Sequence, residues 1–64
     1  MAKKTDNVTV VCYGKTYKGK REALMRKYKE GMMCCDGSER ERYTSIFCGL
    51  SEGYKHVDDN WNFS

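Results

Sequence analysis

The chain contains no proline, only one histidine, no long apolar run and no CxxC pair, and each absence narrows its identity. Without proline there is no rigid spacer to mark a boundary between domains. Without about 18 consecutive apolar residues, no segment crosses a bilayer as a helix. The opening Met1-Ala2-Lys3-Lys4-Thr5-Asp6-Asn7 is polar and no apolar segment follows it, unlike a secretory leader. The expectation is therefore a reducing cytoplasm and no membrane.

The same scarcity removes the usual chemistry. His56 stands alone in an aperiodic tail, with no partner in sequence to make it a general base. There is no GxxxxGK phosphate loop and no nucleophile motif. The four cysteines are Cys12, Cys34, Cys35 and Cys48, and the adjacent Cys34-Cys35 pair lacks the spacing of a zinc site. Free thiols packed as small hydrophobes are expected, with no metal, no cofactor and no catalytic residue. Cys35 precedes a predicted helix start, which lowers a thiol pKa, but the neighbouring Asp36 opposes that effect. A bond between vicinal cysteines also closes a strained ring. One packed and one exposed cysteine is the expectation there.

With 64 residues, one domain is the limit, and a chain this short buries only about 60% of its unfolded surface. Asn7-Val8-Thr9-Val10-Val11-Cys12-Tyr13 is rich in β-branched residues, Gly14-Lys15 breaks it, and Thr16-Tyr17-Lys18 resumes an extended pattern. This reads as a hairpin with Val8, Val10 and Cys12 on one face. From Lys20 the period changes. Leu24, Tyr28, Met32 and Cys35 recur at helical steps, with charged residues opposite. Gly31 inside that helix implies a close backbone approach, to the hairpin or to a partner.

Asp36-Gly37 suits a helix end with Gly37 left-handed, and Ser38-Glu39-Arg40-Glu41 is a capping-box sequence that starts a second helix at Ser38. Tyr43, Ile46, Phe47 and Leu50 form its apolar stripe, and Gly53 stops it. The short connection makes the helices antiparallel. The fold class is therefore α+β, an N-terminal β-hairpin packed on an antiparallel helical hairpin (ββαα), in a single domain 1–64. The expected core is Val8, Val10, Leu24, Tyr28, Met32, Ile46, Phe47 and Leu50. The ordered part is expected over about 7–53, with 1–6 and 58–64 flexible.

Charge is unevenly spread. Residues 1–29 carry nine Lys and Arg against Asp6 and Glu22, whereas residues 30–64 carry three against seven acids. Two candidate surfaces follow. Lys15, Lys18, Lys20, Arg21, Arg26 and Lys27, interleaved with tyrosines, could follow phosphates of a nucleic acid. Tyr13, Tyr17, Met25, Met33, Tyr54, Trp61 and Phe63 exceed what so small a core can enclose, and such residues are enriched at protein interfaces. Homodimerisation would bury some of them.

The stretches Tyr13-Gly14-Lys15-Thr16, Arg21-Glu22-Ala23 and Glu30-Gly31-Met32-Met33-Cys34-Cys35-Asp36-Gly37-Ser38-Glu39-Arg40-Glu41-Arg42-Tyr43 resemble a group of small uncharacterised proteins. These are encoded on conjugative transposons and prophages of Gram-positive gut bacteria, and the likeness covers roughly residues 8–53. The resemblance implies a small binder that adjusts the host, of the size of inhibitors of host defence complexes such as anti-CRISPR proteins. The expectation is a non-enzymatic interaction domain, with nucleic-acid binding by the basic hairpin and first helix as its rival.

Overall fold

The alternation of Val8, Val10 and Cys12 produces a strand with one buried edge-to-edge row, β1 (Asn7–Cys12), which pairs antiparallel with β2 (Lys15–Lys20). The computed structural model describes residues 6–64. Residues 1–5, expected to be flexible, lie outside the described residues. The hairpin turn falls one residue earlier than the sequence suggests. Cys12 faces Lys15, so Tyr13 and Gly14 are the two loop residues. Both have positive φ, 53° and 75°, which matches the twist of a two-residue hairpin.

Two helices follow, α1 (Arg21–Cys34) and α2 (Gly37–Ser51), and the expected ββαα order is the one observed. They are joined by Cys35 and Asp36 alone and pack on each other and on the inner face of the sheet. Gly31 permits the contact between them. A Cβ there would lie 2.9 Å from the Tyr43 ring, so the close approach implied by this glycine is made by α2. Gly37 does adopt a left-handed φ of 67°, but the capping box does not form. Helix α2 begins at Gly37 after an extended Asp36, with no side-chain cap. The left-handed glycine turns the chain into the helix without help from the Ser38 hydroxyl.

A third strand, β3 (His56–Asp58), pairs parallel with β1, giving the order β2-β1-β3. Three residues with a single apolar one, Val57, leave no periodic trace in sequence. Val57 is fully buried nonetheless. It is admitted by Gly49 of α2, where an added Cβ would sit 2.6 Å from Val57 Cγ1 and 2.7 Å from the Phe63 ring. Beyond β3 the chain folds back, and Ser64 and His56 exchange backbone hydrogen bonds of 2.8 and 2.9 Å. The segment 58–64, expected to be flexible, holds a strand residue, a buried Asp59 and a ring packed against the core.

The buried cluster is Val8, Val10, Cys12, Leu24, Tyr28, Ile46, Leu50 and Val57. Each aliphatic side chain enclosed this way contributes about 1.5–3 kcal/mol. Phe47 is only half-buried against it and Met32 is half-buried outside it, whereas Val57, for which the sequence offered no signal, is enclosed.

Arg21 overturns an expectation of a different kind. Its side chain is not on the surface but 3% exposed. Nε and Nη2 grip the two oxygens of Asp6 at 2.8 Å each. Nη1 donates to the carbonyls of Leu50 and Tyr54 at 2.7 and 2.9 Å, and Nη2 to that of Gly53 at 3.3 Å. A fixed fork of five donors suits the carbonyls gathered at the end of α2 and its negative dipole. This arginine is therefore withdrawn from the phosphate-contacting set.

Candidate functional site

Tyr13 marks the site. A bulky non-glycine residue at positive φ is an outlier, and the first position of such a turn ordinarily takes Asn, Asp or Gly. The ring is nevertheless 52% exposed, so burial does not explain its presence. The strained turn is held from across the sheet, where the Tyr13 amide donates to Asp59 Oδ2 at 2.9 Å. The same oxygen accepts from Arg42 Nη1 at 2.7 Å, and the Arg42 guanidinium lies 4.7 Å from the centre of the Tyr13 ring. Asp59 is 6% exposed. Burial pushes its carboxyl up, but the Tyr13 amide and Arg42 outweigh it and leave it below its ordinary value.

Trp61 is the second residue of this kind. Its φ is 64° and its side chain is 48% exposed. The backbone is fixed by Ser45, whose buried hydroxyl accepts from the Trp61 amide at 2.9 Å and donates to the Asp58 carbonyl at 2.8 Å. Tyr13 and Trp61 are the described non-glycine residues at positive φ. Both flank the Asp59–Arg42 pair. A hollow of about 240 Å³ lies beside Trp61, lined by Ser38, Glu41, Arg42, Asp59 and Asn60.

On the other side of Tyr13 is a groove of about 280 Å³ with Tyr17, Lys27, Tyr28 and Tyr43 on its walls and Gly31 among its lining. Lys27 Nζ lies 4.9 Å from the centre of the Tyr17 ring and 5.7 Å from that of Tyr28. Tyr28 and Tyr43 lean together at 5.7 Å. Burial pushes the Tyr28 hydroxyl up to about 12, so it stays a proton-bearing donor at neutral pH. Tyr13 lines this groove and stacks on Arg42, which lines the neighbouring hollow. The two depressions thus form one run from Tyr17 to Trp61.

The residues predicted from sequence are partly gathered here. Tyr13, Tyr17 and Lys27 meet in the groove, with Trp61 beyond Arg42. Tyr54 and Phe63 stack on each other at 5.2 Å, with Phe63 packed inward and its ring 6.2 Å from that of Trp61. Met33 is 75% exposed and lines none of these hollows. Met25 and Phe47 line a separate hollow with the flexible chains of Glu22, Arg26 and Lys29. Arg26 there reaches Glu22 at 3.7 Å in an exposed pair, which contributes little.

The basic set is divided by the pleat. Lys15 and Tyr17 share the register of the inward residues Cys12 and Val10, whereas Lys18 and Lys20 pair with Thr9 and Asn7 on the uncovered face of the sheet. Arg42, Asp59 and Ser45 were missed altogether. Arg42 reads as one more charge on a solvated helix, and its partner Asp59 lies in a tail without period, 46 residues from the turn it holds.

Among the described residues, no group of three His, Cys, Asp or Glu side chains is placed to hold a metal ion. All four cysteines are free, Cys34 exposed and Cys35 half-buried. Burial, then Glu39, pushes the Cys35 thiol up and not down. Burial raises Cys12 as well. No protein-family model, curated protein or solved structure matches the chain.

Proposed function

We propose that the chain is a non-enzymatic protein-interaction domain whose contact surface runs from Tyr17 through Tyr13 and Arg42 to Trp61. The observation that carries this reading is the pair of exposed aromatic rings held at left-handed backbone positions around one buried carboxylate. Such positions cost of order 1–3 kcal/mol each and persist where the surroundings impose them. Tyr, Trp and Arg are also the residues that dominate binding energy at protein interfaces. The resemblance to small mobile-element proteins supports a host or element protein as the partner, a host defence complex included.

The rival is nucleic-acid binding. The division of Lys18 and Lys20 from Lys15 and Lys27, and the burial of Arg21, leave it without a single basic track. Capture from a nuclease-treated lysate of a related host tests the two. Tyr13→Asn suits the turn and keeps the amide bond to Asp59, so the fold remains while the ring is lost. A protein that survives nuclease and is lost with Tyr13→Asn supports the interaction reading. Material that disappears with nuclease and with the lysine exchange, but not with Tyr13→Asn, overturns it.

A further inference from the structure

The two edges of the sheet are treated differently. The outer side of β3 is met by Ser64, which exchanges both backbone bonds with His56. The outer side of β2 is met by no backbone group among the described residues. Register shows which groups are left over. The Thr9 amide and the Val11 carbonyl point toward the β3 side, bonded to Lys55 and Asp59. Their antiparallel partners on β2 are Lys18 and Thr16. In a ladder of this kind, opposite residues both turn their N–H and C=O either toward each other or away. The N–H and C=O groups of Thr16 and Lys18 therefore face outward, along a strand whose residues are exposed except for a half-buried Gly19.

Resting on the interaction reading, we infer that this free edge of β2 is the seat of an extended acidic segment of the partner, added as a fourth strand. An open edge is a template for strand addition, in which main-chain bonds give affinity and alternate side chains give selectivity. Here one face of the added strand meets Lys18 and Lys20, and the other meets Lys15 and the Tyr17 ring, with Lys27 Nζ 4.9 Å from that ring. β2 contains three lysines and no acid. A second copy of the chain would bring two strands of three lysines each together with no acid on either, which like-charge repulsion opposes, whereas carboxylates on alternate residues pair with them. The edge adjoins Tyr13 and Tyr17, so the acidic strand and the aromatic run belong to one footprint.

The test is amide hydrogen exchange of the full chain by NMR, with a capped Glu-Val octapeptide as probe and a Lys-Val octapeptide as control. The Glu-Val peptide is expected to slow exchange of the Thr16 and Lys18 amides about tenfold near saturation, and the Lys-Val peptide to leave them unchanged. Thr16→Pro removes an outward N–H without removing a ladder bond or a charge, a substitution that edge strands tolerate, and should abolish the protection. Lys18→Glu/Lys20→Glu should weaken binding of the Glu-Val peptide by about tenfold or more, and it serves the test should Thr16→Pro fail to fold. Unprotected amides, or binding that survives Thr16→Pro in a folded chain, overturn the proposal. So does an oligothymidylate that binds β2 in place of the acidic peptide. If a nuclease-resistant protein is lost with Tyr13→Asn yet kept by Thr16→Pro, the edge proposal fails and the interaction reading stands.

Discussion

The two ends of α2 each carry an arginine–aspartate pair, and the pairs do opposite things. At the C-terminal end, Arg21 is enclosed, spends its donors on Asp6, on the Leu50 carbonyl of the last turn and on the carbonyls of Gly53 and Tyr54 just beyond it, and presents nothing to solvent. Toward the N-terminal end, Arg42 is 36% exposed, makes one bond to Asp59 and lays its guanidinium against an exposed tyrosine. The same two side-chain types therefore close one end and dress the other. What separates them is the number of backbone carbonyls within reach. A helix C-terminus offers orphan acceptors that absorb a guanidinium, whereas the carbonyls of the N-terminal turns are bonded within the helix and leave the ion to its aromatic neighbour.

Breaking the closed end should cost most. Arg21→Met removes the donors to the Asp6 carboxylate and to the carbonyls of Gly53 and Tyr54, and one of the donors to that of Leu50, and is expected to lower stability by about 3 kcal/mol or more. That is a large part of the roughly 3–10 kcal/mol typical of a domain this size. A urea midpoint within error of wild type would show the network to be dispensable.

The next effect is also at this end. Gly49→Ala drives a methyl into Val57 and Phe63 and should cost about 1–3 kcal/mol by overpacking, visible as faster amide exchange in β3. Gly31→Ala meets one half-buried ring at 2.9 Å and should cost less, since that ring can shift toward solvent whereas the fully buried Val57 cannot.

Acid sharpens the comparison. Asp6, through its bond to Arg21, and Asp59, where the Tyr13 amide and Arg42 outweigh burial, both lie below the ordinary 3.8 in the folded chain. A lowered folded pKa means stability that is fully present above the unfolded value and lost as pH falls through the folded one. The melting temperature should be level above about pH 5 and drop below about pH 4. Asp59→Asn should cost about 1 kcal/mol at neutral pH and remove its share of the acid drop while leaving that of Asp6. An unaltered acid limb in Asp59→Asn would show that this carboxylate does not hold the turn.

The smallest effect is expected at the open end. A formed capping box would make Ser38→Ala cost about 0.5–2 kcal/mol. With α2 entered through Gly37 and no side-chain cap, the change should stay within about 0.5 kcal/mol. A larger loss of melting temperature would restore the capping box.

Much of the candidate site was legible one residue at a time. Tyr13, Tyr17, Lys27 and Trp61 stand out as surplus aromatics and interleaved charge, but their assembly did not, because Asp59 and Ser45 act through backbone groups far away in sequence. Arg21 was misread for the same reason, since its partners are carbonyls and carry no sequence signature.

By itself the sequence determined the hairpin, the two helices, their antiparallel turn and most of the core. These depend on local periodicity and on glycines whose backbone freedom is intrinsic, as at Gly37. Tertiary structure alone decided the third strand, the burial of Arg21 and the strained presentation of Tyr13 and Trp61. A three-residue strand is too short to carry a period and is stabilised only by the strand and helix that receive it. A buried ion or a left-handed aromatic is likewise tolerated only where distant groups supply the bonds that offset its cost.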